Sequence, residues 1–390
     1  MRNFIETHLT VISQCILIAV GTILITVNLY FGPVSSPDTS TYSAWADLLI
    51  EYDFNWINFL QHHVRQAAPH YFYGVPTTIF AIAKILSVDH WKWIIFFLNI
   101  LCIPIVLLLA SKIIFLCEIN KYIAALFPLT FLLSSDYPLW PHYILSDTLY
   151  VALLMWCIYW VIRSVERMNV SSHIIFITSI LLLLLSRPTS PPAVMVLSFF
   201  YCFPKLAGLA SRNQYLMLWA LLLVGALFMI FSGLVVANLS GAINIDQLNF
   251  LTSMIKKGLV IHDRPTTFVQ FDGSYLSVMK VLWTRFVFFF SPYVDSYSAL
   301  HIIVNLVFFT MIGTMIIAGE FFSRNVYVSD ISSKARGILI FLTIAIAAYH
   351  SVTLIDYDFR YRYPVIAPMI LLALIGTNNV LRHIKEHKLM

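Results

Sequence analysis

Apolar runs of about 20 residues recur along the chain between short polar stretches, the signature of helices that cross a lipid bilayer. Long runs cover residues 9–31, 93–117, 143–162, 214–238, 298–319, 337–355 and 363–380, and shorter ones cover 122–135, 173–186 and 189–203. They predict about ten spans and two larger polar regions, 32–92 and 239–297, the second with an amphipathic piece at 278–290. Residues 75–86, with Pro76 at the start and Lys84 near the end, are too short to cross and read as re-entrant or interfacial. Ahead of them, Tyr42, Trp45, Leu49, Tyr52 and Trp56 recur at steps of three and four, with Asp47 and Glu51 opposite. That spacing predicts an amphipathic helix in the headgroup region, aromatic face toward lipid.

Composition fits this pattern. Of 390 residues, 60% are hydrophobic and 11% charged, and mean hydropathy is +0.83. A soluble domain carries about 25% charged residues. The fold class is therefore an all-α polytopic membrane protein, and residues 1–390 read as a single transmembrane domain without repeats. The net charge of +5 is scattered over short loops, which argues against nucleic acid as a partner. Lys and Arg concentrate in 112–121, 163–173, 205–212, 324–336 and 382–388, so the positive-inside rule puts these segments and both termini in the cytoplasm. The two large regions then face outward with Asp38, Asp147, Asp263, Asp356 and Asp358. Arg2 precedes an apolar run with no small-residue cleavage site, which predicts a retained first span. Cys15, Cys102, Cys117, Cys157 and Cys202 fall in or beside apolar runs without metal-ligand spacing and read as core thiols.

Four polar clusters converge on the outer face in this topology. The first is Ser36-Pro37-Asp38-Thr39, at the start of the amphipathic helix, where Asp38 also suits an N-cap. The second is His142-Tyr143-Ile144-Leu145-Ser146-Asp147, where Asp147 opens a span and also suits a cap. The third is Ser186-Arg187-Pro188, where Arg187 also suits a boundary charge reaching water. The fourth, Asp356-Tyr357-Asp358-Phe359-Arg360-Tyr361-Arg362-Tyr363-Pro364, opens the last span, and its arginines also suit interfacial anchors paired with the two aspartates. Charges beside hydrocarbon are costly, so four such clusters together point to function. Segment 256–265, with Lys256, Lys257, His262, Asp263 and Arg264, reads as a solvated loop or a further anion site.

These clusters resemble the GT-C superfamily of integral-membrane glycosyltransferases, in particular its protein O-mannosyltransferase and lipid A aminoarabinose transferase branches. Pro37-Asp38-Thr39-Ser40-Thr41-Tyr42 is similar to the family's first outer-loop motif, and Ala67-Ala68-Pro69-His70-Tyr71 to its juxtamembrane helix. Tyr143-Ile144-Leu145-Ser146-Asp147 resembles the second acidic motif, and Arg187-Pro188 and Arg360-Tyr361-Arg362 the later basic motifs. One acid in the second motif, where some relatives carry two, sets metal dependence apart from the resemblance.

The resemblance implies a GT-C-like bundle in the inner membrane of a bacterium, with its site facing the periplasm. It implies an enzyme moving a sugar, with inversion, from a polyprenyl-phosphate carrier to a lipid, glycan or protein acceptor. Asp38 is then the general base or acceptor-orienting group, with Asp147 as its catalytic partner. Arg187, Arg360 and Arg362 meet the donor phosphate. His70, His142 and Tyr361 are acceptor or accessory residues, with His62 and His63 further off. If the site takes a divalent metal, Mg or Mn, its ligands are Asp38 and Asp147. A lipid-linked glycan flippase or transporter, and a surface-polysaccharide polymerase, are the alternatives that use similar charges.

Overall fold

A computed structural model describes residues 2–63, 70–164, 169–203, 216–242, 272, 274–293, 298–323, 329–353 and 359–387. Segment 256–265, Asp356 and Asp358, Ala67 to Pro69 and the basic segment 205–212 lie outside them. So do the side chains of His62, His63, His70 and Arg360.

Helices dominate, and no strand occurs among the described residues. In order they are α1 (Arg2–Phe31), α2 (Pro37–Glu51), α3 (Trp56–His63), α4 (Gly74–Leu86), α5 (Trp91–Leu116), α6 (Lys121–Leu133) and the single turn α7 (Asp136–Leu139). There follow α8 (Asp147–Arg163), α9 (Val170–Leu184), α10 (Pro191–Cys202), α11 (Leu216–Leu239), α12 (Tyr275–Phe289), α13 (Ala299–Phe322), α14 (Asp330–Thr353) and α15 (Tyr363–His387). Short 3₁₀ turns occupy His70–Tyr73, Trp140–His142 and Phe359–Arg362. Six of the described helices are long and apolar enough to cross a bilayer. They lie in α1, α5, α11, α13, α14 and α15, and the chain is an all-α integral membrane protein. Helices α4, α6, α9 and α10 are apolar but shorter, and α4, with 13 residues, rises only about 20 Å against a hydrocarbon core of about 30 Å.

The main core joins α5, α8, α14 and α15, with α1 and α6 packed on one flank and α9 to α12 on another. Helices α13 and α15 pack most extensively, because glycine removes the side chains where they meet. A Cβ on Gly319 would sit 2.1 Å from the Gly376 Cα, so any larger residue there forces the backbones apart.

A second, smaller core corrects the expected lipid-facing helix. Helix α2 starts where predicted, but its cap is Ser36. The Ser36 hydroxyl accepts from the Thr39 N–H, and the Thr39 hydroxyl accepts from the Ser36 N–H at 2.9 Å, a reciprocal capping box. The buried face of α2, Tyr42, Ala46 and Leu49, packs against α4 and the start of α5. Aromatic periodicity predicts an apolar neighbour, and here that neighbour is protein. Lys84 of α4 closes the edge, bonding Asp47 at 2.6 Å and the Ser43 carbonyl at 3.0 Å.

Two expected boundaries also move. Segment 324–336 does not remain a basic loop to its end: α14 begins at Asp330 and takes in Lys334 and Arg336, both buried. Arg336 is held by a two-pronged ion pair to Glu320, both contacts 2.6 Å, and Lys334 donates to the Ser164 hydroxyl at 2.8 Å. The amphipathic piece in 239–297 becomes α12, whose Val278, Val281 and Leu282 enter the main core. Charges can be buried at both places because partners satisfy them, which a hydropathy pattern does not register. All five cysteines are free thiols.

Candidate functional site

The site lies at the end of the bundle where α2 meets the start of α8. A short extended strap makes that junction. Val34 N–H donates to the His142 carbonyl at 3.0 Å, and Ile144 N–H returns a bond to the Val34 carbonyl at 2.9 Å. The Thr39 hydroxyl adds a bond to the Ile144 carbonyl at 2.9 Å. From α5, the Asn99 amide donates to the carbonyls of Tyr143 at 2.9 Å and Leu145 at 3.3 Å. These bonds satisfy a buried non-helical backbone, whose polar groups must find partners away from water. They also set the Asp38 helix beside the first turn of α8.

Asp147 opens α8 and its carboxylate pairs with the Arg187 guanidinium, both side chains buried. Neither residue therefore plays the bland role the sequence allowed: Asp147 gives no side-chain cap and Arg187 does not reach water. Arg187 is held from its own backbone, because the tight turn into α10 is locked by the Ser190 hydroxyl, whose single proton is shared between the carbonyls of Arg187 and, at 2.9 Å, Leu184. The Tyr349 hydroxyl donates to the next carbonyl, Pro188, at 3.0 Å. The second carboxylate oxygen of Asp147 is buried and has no hydrogen-bond partner among the described residues.

Around this pair, Tyr73 lies within the electrostatic reach of Arg187, Asp38, Tyr361 and Asp147. Tyr42 lies within reach of Tyr73, Arg187, Asp147 and the Ser146 hydroxyl. Burial pushes both phenols above their ordinary range, so both stay neutral donors. Asp38 is half-exposed on the rim. The Arg187 guanidinium also lies 6.0 Å from the centre of the Tyr361 ring, at the outer limit of a cation–π contact.

Arg362 forms a second buried pair, with Asp136 at 3.2 Å. It also donates to the Ser291 carbonyl at 2.6 Å and lies over the Phe309 ring at 4.6 Å. Tyr363 falls within the field of both Asp136 and Asp147, so the two pairs are neighbours. His142 stacks on Tyr143 with ring centres 4.4 Å apart, and burial lowers its imidazole pKa, which keeps it neutral.

Of the residues singled out in the sequence, Asp38, Asp147, Arg187 and Tyr361 gather around Tyr73, and Arg362 sits alongside through Tyr363. His142 belongs to the strap below them. Sequence reasoning missed Tyr73 and Asp136, and placed Tyr42 on the helix without a role at the site. Asp136 carried a readable signal, a carboxylate directly after the apolar run 122–135.

Arg187 already holds one oxygen of Asp147, and no three His, Cys, Asp or Glu side chains among the described residues come together as ligands. Neither protein-family models, curated proteins nor solved structures match the chain.

Proposed function

We propose that the protein is a glycosyltransferase that moves a sugar from a polyprenyl-phosphate carrier to an acceptor hydroxyl. Its site faces the exterior of a bacterial inner membrane, on a bundle of about ten spans. The observation that supports it best is the Asp147–Arg187 pair, buried inside the protein beside the half-exposed Asp38 and reached by Tyr73. An acid on an open rim next to a sheltered cation matches a reaction that takes up a proton at one atom and releases phosphate charge at another.

In the step itself, the acceptor oxygen attacks the anomeric carbon from the face opposite the phosphate. The carbon–oxygen bond to phosphate breaks with its electron pair staying on the phosphate, and the acceptor proton passes to the Asp38 carboxylate. One displacement inverts the anomeric centre. Arg187 meets the growing phosphate charge with fixed donors. Asp147 holds Arg187 in place, while neutral Tyr42 and Tyr73 donate to sugar or phosphate oxygens.

The test is to incubate purified protein with a panel of polyprenyl-phosphate monosaccharides and an acceptor pool, and to follow release of free carrier phosphate. Release from one donor that vanishes in Asp38→Asn is the expected result. No release from any donor, with bound lipid-linked glycan recovered from the protein, would replace the reading with transport or polymerisation.

A further inference from the structure

A cavity of about 680 Å³ opens at the far end of the bundle from the candidate site. Helix α5 starts beside α2 in the second core and runs for 26 residues, so its last turn lies about 39 Å away. Helix α1 meets the strap through Phe31 at its end and the cavity through Ser13 and Gln14 near its start. The remaining walls are the last two turns of α5, the turn 117–120, the start of α6 and Ile331 of α14. Polar and apolar groups share this lining: Ser13, Gln14, Ser111, Glu118 and Lys121 stand beside Ile114 and Phe115. Phe115 is 85% exposed at the end of a helix long enough to cross the bilayer, so the apolar side of the mouth opens at the lipid interface.

Glu118 occupies this wall against two local costs. Its φ is +52°, in the left-handed region, just past the Cys117 cap of α5, where glycine or asparagine is usual. Its carboxylate also follows a helix C-terminus, whose partial charge is negative. The conformation is held from α15: Arg382 donates to the Glu118 carbonyl at 3.1 Å, and the Asn378 amide oxygen accepts from the Asn120 N–H at 2.9 Å. Lys121 repeats the inversion as a cation in the first turn of α6, where the dipole favours anions. Two opposite charges, each at the helix end that suits the other, fit a ligand that carries both.

We propose that this cavity binds a phospholipid whose headgroup joins a phosphate to a primary ammonium, the chemistry of phosphatidylethanolamine. Glu118 takes the ammonium, whose three N–H donors suit a carboxylate. Lys121 meets the phosphate, with the Ser13 and Ser111 hydroxyls and the Gln14 amide as further donors. The acyl chains leave past Phe115 into the bilayer. Phosphoethanolamine free in solution shares the headgroup chemistry, but the open apolar side of the mouth gives it nothing to fill. A lipid here ties α1 to the α5–α6 turn and, through Asn378 and Arg382, to α15. The site is independent of the transferase reading.

The test is native mass spectrometry of the full chain in detergent, titrated with phosphatidylethanolamine, phosphatidylglycerol and phosphatidylcholine of matched chains. One phosphatidylethanolamine should bind about tenfold tighter than either of the others. Phosphatidylglycerol lacks the cation, and trimethylation strips phosphatidylcholine of its N–H donors. Glu118→Gln should erase the preference, and Lys121→Gln should weaken all three lipids. Glu118→Gly should also erase it while raising the melting temperature of the lipid-free protein by about 2 °C, because glycine relieves the left-handed backbone. A preference lost together with stability would mean only that the turn is damaged, and would overturn the assignment. Equal binding of the three lipids, a preference kept in either Glu118 variant, unchanged binding in Lys121→Gln, or competition by free phosphoethanolamine as strong as by the lipid would each do the same.

Discussion

Asp147 and Arg187 form an ion pair in which neither side chain exceeds 4% exposure. Removing one partner strands a charge that neither water nor lipid can solvate. Asp147→Asn or Arg187→Gln should therefore cost about 3–5 kcal/mol of stability, read as a lower melting temperature in detergent. The double variant Asp147→Leu/Arg187→Met should melt closer to wild type than either single variant while losing all activity. That pattern separates the electrostatic role of the pair from its chemical one.

Asp38 is the contrasting case. It is half-exposed, and the α2 cap belongs to Ser36 and Thr39, so Asp38→Asn should lower the melting temperature far less than Asp147→Asn does. Carrier phosphate release should fall by about 100-fold or more. Equal loss of stability and activity would mean that the residue only supports the helix.

Arg362 joins three elements through Asp136, the Ser291 carbonyl and the face of Phe309. A lysine ammonium keeps the charge but not the planar fork. Arg362→Lys should lower stability by about 1–3 kcal/mol, measurable by thermal unfolding, and Asp136→Asn should do at least as much.

Tyr42 gives a pH signature. Burial raises its phenol pKa in the folded protein above the unfolded value, which is about 10. The folded state thus holds its proton more tightly, and the contribution to stability is complete below about pH 10. It is lost as pH climbs from there toward the folded value, because only the unfolded chain ionises. Tyr42→Phe should flatten this alkaline loss in a series of melting curves, while costing a smaller, pH-independent amount at neutrality.

The helices and the opening of α2 were legible because bilayer thickness and capping chemistry act over a few residues. The destination of the α2 aromatic face was not, since three-and-four spacing marks an apolar side without saying whether lipid or α4 covers it. The acid and arginine motifs were legible singly, as charges beside apolar runs. Their pairing was not: Arg362 bonds Asp136, 226 residues away in sequence. Nor did local pattern reveal that α14 would bury Lys334 and Arg336, because their partners, Ser164 and Glu320, sit on other helices.

The two buried pairs also impose an order on biosynthesis. In each the acid is translated first: Asp147 precedes Arg187 by 40 residues, and Asp136 precedes Arg362 by 226. At ribosomal speed the second interval lasts on the order of ten seconds or more. Throughout it the Asp136 carboxylate has to stay protonated, remain in water, or borrow a temporary cation. Insertion of the middle of the chain therefore cannot be final when it leaves the ribosome: the α6–α8 segment settles into place only after the last span has arrived.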